Sequence, residues 1–418
     1  MVSLYIHIPF CDRKCEYCNF FVIAKDNPNW QESMIDQYLT ALHAEIDHRA
    51  VLTPDEQIQT IYFWGGTPGI LSLWQLTSII DHICRVRDCS NIAELSIELN
   101  PDPFDHTLEL VAWLSNTYKH FPRVRCSFGI QTFDDDVLKQ AGRGYIFNNV
   151  RHFLRNLREI KQAHNVFNLD FIAFGTRDQQ SNPRKEFLET MISSQSFDSY
   201  SLYLLELFPW SKWHSMLHNT WLPPLLAKLV NPDEDAIMTE YDAIADMLYN
   251  AWYSQYEVSN RSLAGKSSIH NRVYRSMQPY LGLGTSASGL IQYPTWESHN
   301  SQKSFQLSAF SFQHTRQTNT SNITSYMRWD YLDHDKTVVL TDHDYHMELL
   351  MLALRTNDGI TDLSTYTSYL NPKRSDLITT WTQQWRTRYE SDHLILTHDG
   401  MKIANHLISD LLDFQGDA

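Results

Sequence analysis

The feature that most constrains this chain is the run Cys11-x-x-x-Cys15-x-x-Cys18, three cysteines on one short loop near the start of the sequence. A loop of that length can wrap a single small inorganic centre, and soft thiolate donors suit an iron–sulfur cluster. Three ligands leave one iron of a cubane without a protein sulfur. That open iron can chelate the amino and carboxylate groups of S-adenosylmethionine, so that one-electron reduction releases an adenosyl radical. A zinc site is the competing reading. Structural zinc usually takes four ligands arranged as two pairs, and no second Cys/His pair stands at matching separation. The remaining cysteines, Cys84, Cys89 and Cys126, are scattered, which is no disulfide framework for 418 residues.

Around that loop the first half alternates β-rich apolar runs with amphipathic helical stretches. The expected strands are Ser3 to Ile8, Thr60 to Trp64, Leu95 to Leu99, Val124 to Ile130, Asn168 to Phe174 and Ser201 to Leu205. Ser72 with Gln75 forms a capping box ahead of Leu76, Ile79, Ile80 and Ile83 at helical spacing. Repeated strand-then-helix units predict an α/β fold with a parallel sheet curled into a full or partial β/α barrel over residues 1–230. From about residue 231 the pattern turns helical, and residues 231–418 are expected to form a mostly helical C-terminal domain. A polar loop is expected at about 300–325, then a helical stripe of Met347, Leu350, Met351 and Leu354 and a small strand at Leu394 to Thr397.

In barrels of this type the chemistry sits at the C-terminal ends of the strands, where the unusual residues of this chain fall. Gly65-Gly66-Thr67-Pro68 lets the backbone come close to a ligand. Glu98, Gln131, Arg143 and Asp170 are candidates to hold the amino, carboxylate and ribose groups of S-adenosylmethionine through charge-assisted bonds.

Composition narrows the partners. The formal charge is −15, from 49 acidic against 34 basic residues, with no basic patch in the sequence, so nucleic acid is not expected as a partner. No apolar run reaches the roughly twenty residues of a membrane helix, and the N-terminus lacks the basic region of a signal peptide. A cytoplasmic location is expected.

Tyr5-Ile-His7-Ile-Pro9-Phe10-Cys11, Phe63-Trp-Gly-Gly-Thr-Pro68, Ile97-Glu98-Leu-Asn-Pro101, Ser127-Phe-Gly-Ile-Gln-Thr-Phe133, Gly142-Arg143, Asp170, Tyr256-Glu-Val-Ser-Asn260 and Tyr280-Leu-Gly-Leu-Gly284 together resemble the oxygen-independent coproporphyrinogen III oxidase-like radical enzymes, and within them the HemW heme chaperones. The likeness covers about the first 290 residues and continues more loosely through Leu352-Ala-Leu-Arg355 and Asp358-Gly359-Ile360. It implies a partial barrel of six β/α units and a place in porphyrin metabolism. It also implies a cofactor pocket of Tyr5, Tyr17, Gly65, Gly66, Thr67, Glu98, Gln131, Arg143 and Asp170 beside a [4Fe–4S] cluster on Cys11, Cys15 and Cys18.

True coproporphyrinogen oxidases carry a fourth cysteine where this chain has Phe20, which favours the HemW branch. The resemblance then implies heme binding, with His270 of His270-Asn271-x-x-Tyr274 as a ligand, transfer to an acceptor protein, and an electron donor. A histidine nitrogen is a competent axial ligand for heme iron; the alternative is a buried histidine bonded to the backbone. The chain departs from the family pattern at Trp64, Arg275, Phe174-Gly175-Thr176 and Leu207-Phe208-Pro209-Trp210. Whether it is an enzyme is left open by these residues. The other tetrapyrrole reading is a radical enzyme, either a coproporphyrinogen oxidase or a heme-degrading methyltransferase.

Overall fold

The alternating apolar runs of the first half become one parallel sheet. The computed structural model describes residues 1–28, 30–52, 56–175, 183–209, 211–216, 222–295, 311–332 and 336–413. Two compact units emerge: residues 6–270, and residues 271–418 together with Met1–Tyr5.

In the first unit the strand order is β1 (Val2–Ile8), β2 (Ile58–Gly65), β3 (Glu94–Leu99), β4 (Val124–Gln131), β5 (Asn165–Ala173) and β6 (Ser199–Leu204), followed by two short antiparallel strands, β8 (Asn260–Ser262) and β7 (Ser254–Gln255). Pairing from β2 to β6 is parallel throughout. Parallel strands buried on both faces read as continuous apolar runs, and β4 is buried at every residue but its last. Among the described residues β1 and β7 do not pair with each other, so the sheet is an open, partial barrel.

Helices fill the crossovers: α1 (Ser33–Leu52), α2 (Leu73–Val86), α3 (Phe104–Thr117), α4 (Phe147–Glu159) and α5 (Pro183–Ser193), with α6 (Glu234–Asn250) after the last parallel strand. The α2 start is fixed by the capping box, in which Gln75 N–H donates to Ser72 Oγ at 3.2 Å and Ser72 N–H to Gln75 Oε1 at 2.9 Å. Behind that cap Leu76, Ile79, Ile80 and Ile83 are all buried, each contributing about 1.5–3 kcal/mol relative to an exposed side chain.

The second unit is helical with an antiparallel sheet. Here β9 (Tyr280–Leu283), β10 (Ser288–Thr295), β11 (Ser311–Thr318) and β12 (Val338–Val339) pair in sequence order. Helix α8 (Asp342–Ala353) starts at a second capping box, Thr341 with Asp344. The hairpin of β13 (Thr387–Glu390) and β14 (His393–Leu396) is the small strand expected near Leu394. Gly359 meets that hairpin with φ +62°, and a Cβ there would lie 2.2 Å from Leu394 O. Only glycine fits both the backbone angle and the space.

Two boundaries differ from the sequence reading. The compact units divide after His270 rather than at 230, because α6, β7 and β8 pack back on the parallel strands. The polar loop expected at about 300–325 is a correction: residues 311–318 form β11, and Ile323–Met327 is a helix capped by Asn322. Seven of the eight residues of β11 are polar, so composition reads as loop although the backbone pairs with β10 on one side and β12 on the other. Residues 300–310 lie outside the described residues.

Candidate functional site

The cysteine loop hangs between two short parallel segments, Phe10–Cys11 and Ile23–Ala24. Ile23 N–H donates to Pro9 O at 2.6 Å and Lys25 N–H to Cys11 O at 3.0 Å, closing the loop at its base. His7 pins the far side through a bond of 3.1 Å between its Nε2 and Phe21 O. Burial pushes the imidazole down to about 4, so it stays neutral and Nε2 carries the donated proton. Gly65, at φ +108°, leaves room for that ring, since a Cβ would sit 2.6 Å from it. Gly66 brings the next backbone amide within 2.7 Å of Ile8 O, and a Cβ there would be 2.5 Å from Phe10 O. Both glycines are therefore required by close approach of the turn to the cysteine loop.

From the loop a directed chain of donors runs inward. Arg143 Nη1 donates to Asn100 Oδ1 at 2.7 Å, and Asn100 Nδ2 to Thr67 Oγ1 at 3.0 Å. That leaves the Thr67 hydroxyl proton for Cys11 Sγ, 3.5 Å away. Each link points positive charge toward the sulfur, as a thiolate requires. Arg143 also donates to Tyr17 Oη at 2.7 Å. The three sulfurs are close enough to sense one another: burial pushes Cys11 up to about 12 and raises Cys18, with the neighbouring thiols opposing ionisation and Arg143 favouring it.

Glu98 and Asp170 face each other inside the barrel. Tyr62 Oη donates to Glu98 Oε1 at 2.7 Å, and Ser127 Oγ to Asp170 Oδ2 at 2.7 Å. Asn168 Nδ2 reaches Asp170 Oδ1 at 2.7 Å. Burial, then repulsion from Asp170, pushes Glu98 up to about 7, while Arg125 and the Tyr62 bond pull it back. Asp170 is raised for the same first reason. Tyr203 is electrostatically coupled to both carboxylates and 41% exposed.

Gln131 completes the mouth. Its φ is +65°, a conformation a non-glycine residue holds only where its surroundings over-determine it. The register of β4 on β5 slips between Gly129 and Gln131, a bulge that re-aims the side chain. Tyr5 lies on β1 and is counted with the second unit, where it is electrostatically coupled to Tyr274.

Sequence reasoning missed Asn100, although it sits in the quoted Ile97-to-Pro101 stretch, and His7. The signal available for Asn100 was its place immediately after a strand end. Trp64, a departure from the family pattern, stacks on Tyr62 at 5.9 Å and meets Phe20 edge-on at 4.9 Å. Phe20 thus packs against an aromatic side chain where a fourth sulfur would stand.

His270, on helix α7 (Ile269–Arg275), lies toward the N-terminal ends of the strands, its ring 4.9 Å from that of Tyr62. It is fully buried, its Nδ1 lies 2.6 Å from Thr60 Oγ1, and its backbone N–H donates to Glu94 Oε1 at 3.2 Å. Burial, then the charge of Arg125, pushes the imidazole down to about 3. The imidazole is thus enclosed by the fold, with Thr60 beside its Nδ1.

The Radical SAM superfamily matches residues 5–178. The heme chaperone HemW of Bacillus subtilis is 32% identical over 295 residues, covering 70% of this chain and 71% of that one. This chain belongs to the HemW heme chaperone family. HemW of Escherichia coli is 27% identical over 352 residues, covering 82% of this chain and 80% of its own. Among solved structures, coproporphyrinogen III oxidase (HemN) from Escherichia coli, a radical SAM enzyme, superposes with TM-score 0.69 at 18% identity over 98% of this chain and 89% of that chain, a likeness of fold.

Family membership implies a [4Fe–4S] cluster and S-adenosylmethionine, and the residues fit both. The cysteines lie on one loop under a donor chain that favours thiolate at Cys11, and iron ligation would displace the thiol protons that burial favours on Cys11 and Cys18. Among the described residues no three His, Cys, Asp or Glu side chains converge as a single-ion site; a cubane asks for one sulfur at each of three irons instead. Arg143 Nε is buried without a hydrogen-bond partner, and burial disfavours the charge of Glu98 and Asp170 even with Arg125 Nη1 3.8 Å from Glu98 Oε1. A ligand bearing both a carboxylate and an ammonium satisfies all three.

Proposed function

We propose that this protein binds heme and hands it to acceptor proteins, with a [4Fe–4S] cluster on Cys11, Cys15 and Cys18 and S-adenosylmethionine bound at the barrel mouth. What carries the reading is the 32% identity to a heme chaperone over most of both chains. Phe20 at the place of the fourth cysteine of coproporphyrinogen oxidases supports it. A reduced cluster bound there supplies one-electron cleavage of the sulfonium. The chain's own part is positional. Arg143 would meet the carboxylate of S-adenosylmethionine, Glu98 and Asp170 its ammonium and ribose hydroxyls, and Gln131 and the Gly65-Gly66 backbone would hold its edge.

An electron donor and a heme acceptor are the partners this reading requires. Among the described residues no helix is long and apolar enough to cross a membrane, and we place the protein in the cytoplasm.

The test is anaerobic reconstitution with iron and sulfide, then parallel assays of hemin binding and 5′-deoxyadenosine release. Saturable hemin binding with no porphyrinogen-dependent release of 5′-deoxyadenosine is expected. Release strictly dependent on coproporphyrinogen, with decarboxylated product, overturns the reading in favour of a radical enzyme.

A further inference from the structure

The cluster takes three of the 6 cysteines, and two of the others stand together. Cys84 lies in the last turn of α2, and Cys89 in the turn that follows, where Ile92 N–H donates to Cys89 O at 3.4 Å. Both are free and half-buried, whereas Cys126 is closed off inside β4. Their side chains are within hydrogen-bonding reach, the Cys89 thiol donating to the Cys84 sulfur.

The backbone holds both in place. Arg87 N–H closes the end of α2 on Ile83 O at 2.9 Å, and the buried Arg87 side chain ties the segment to α1 through Nη2 and Arg49 O at 2.7 Å. Asp88 is clamped next: its carbonyl accepts from Ile58 N–H at 2.9 Å, and its carboxylate accepts from Gln57 Nε2 at 2.8 Å and Ser90 N–H at 2.9 Å. Two thiols fixed against each other act at high effective concentration, so that when one is joined to an outside sulfur the other displaces it. The shared bond also divides their ionisation. It lowers Cys84 below the ordinary thiol range, against burial and the charge of Asp81, while the same bond, burial and Asp88 raise Cys89. Cys84 is thus the attacking thiolate and Cys89 the resolving thiol.

We propose that Cys84 and Cys89 form a thiol–disulfide exchange site that reacts with disulfides of small thiols and closes reversibly into an intramolecular disulfide. Cys84 Sγ attacks one sulfur of the small disulfide, forming a mixed disulfide and expelling one thiolate. Cys89 Sγ then attacks Cys84 Sγ and expels the second. The two departing thiolates take up the two protons that the protein thiols give up, so one small disulfide is reduced to two thiols as the pair is oxidised. The site lies beside Gln57 and Ile58 at the start of β2, while the cysteine loop meets that strand at its far end, about 25 Å of extended chain away. Exchange here therefore leaves Cys11, Cys15 and Cys18 untouched, and the pair senses the small-thiol pool separately from the cluster.

The reconstituted full-length protein would be equilibrated anaerobically in glutathione buffers of stepped oxidised share, quenched with N-ethylmaleimide and digested for mass spectrometry. A peptide cross-linked between Cys84 and Cys89 is expected, rising with the oxidised share and disappearing in excess reduced glutathione, while iron content and brown colour hold. Cys89→Ala should hold Cys84 as its glutathione adduct and slow alkylation of Cys84 near pH 7 by roughly threefold or more, because the thiolate loses its donor. Circular dichroism checks the fold of that variant, and the titration of the unmodified protein decides the matter without it. Absence of the cross-link at every ratio, or glutathione carried separately on Cys84 and Cys89 of the unmodified protein, would overturn the proposal. So would a cross-link from either residue to a cysteine of the cluster loop.

Discussion

The two ends of the parallel barrel are built on opposite terms. At the C-terminal end the polar groups are strained or short of partners: Gln131 holds φ +65°, Arg143 Nε has no partner, and burial raises Glu98, Asp170, Cys11 and Cys18. At the N-terminal end Glu94, fully buried, is satisfied many times over. It accepts from Ser96 Oγ at 2.9 Å, Ser268 Oγ at 3.2 Å, Ile269 N–H at 3.1 Å and His270 N–H at 3.2 Å, and pairs with Arg123 at 3.3 Å. Groups left wanting wait for a ligand, whereas groups fully bonded hold the fold. His270, the residue with the most direct sequence claim to a ligand, lies at the satisfied end.

That contrast is easiest to break at its extremes. Cys11→Ala should abolish the cluster, seen as loss of iron, acid-labile sulfide and brown colour after reconstitution, with the far-ultraviolet circular dichroism unchanged. Retention of a full complement of iron would mean that the sulfurs do not serve as ligands. At the other end, Glu94→Ala leaves Arg123 and the first amides of α7 without their acceptor. It should cost roughly 3–5 kcal/mol in urea unfolding while iron content per folded molecule holds. A variant that lost iron but not stability would erase the distinction between the ends.

Smaller effects sharpen it. Arg143→Gln removes the cation that anchors the donor chain to Cys11 and that, in the proposed site, meets the ligand carboxylate; it should weaken S-adenosylmethionine binding about 10–100-fold by calorimetry. Thr60→Val strips the partner from His270 Nδ1 and should cost about 1–3 kcal/mol, with hemin affinity unaltered. A weakened Soret change in Thr60→Val at undiminished stability would return His270 to the ligand role.

Much of the barrel was legible in the sequence because parallel strands buried on both faces read as uninterrupted apolar runs, and because cysteine spacing and glycine pairs state their chemistry locally. All six expected strands are present, within a few residues at their ends. What stayed hidden depends on distance along the chain. Asn100 joins Arg143 to Thr67 across three strand ends, and Glu94 meets Ser268, Ile269 and His270 through contacts more than 170 positions apart. A motif can mark His270 as special, but it cannot say whether its imidazole looks outward or into a packed layer. The bulge at Gln131 was equally invisible, since glutamine has no preference for a left-handed backbone. Strand β11 was read as loop because its polar residues outweigh its apolar ones, although its backbone pairs with strands on both sides.

The smallest expected effect is the most specific to the ligand-ready end. Glu98 ionises near pH 7 instead of at its ordinary value of 4.5, because burial and Asp170 disfavour its charge. Between those two values the folded protein holds a proton that the unfolded chain has released, so ligand-free stability falls as pH rises from 4.5 to about 7. Binding of S-adenosylmethionine runs the other way: its ammonium pairs with the ionised carboxylate, so affinity rises with pH up to about 7 and then levels. Across pH 6 to 8 the gain should approach about tenfold, one proton being released per ligand bound. Glu98→Gln should flatten both profiles, raising stability at pH 7 while weakening the ligand. Calorimetry in two buffers of different ionisation enthalpy counts the proton directly. A pH-independent affinity in the unmodified protein would mean that the ammonium is held elsewhere, and the contrast between the two ends would then rest on the cysteines and Arg143 alone.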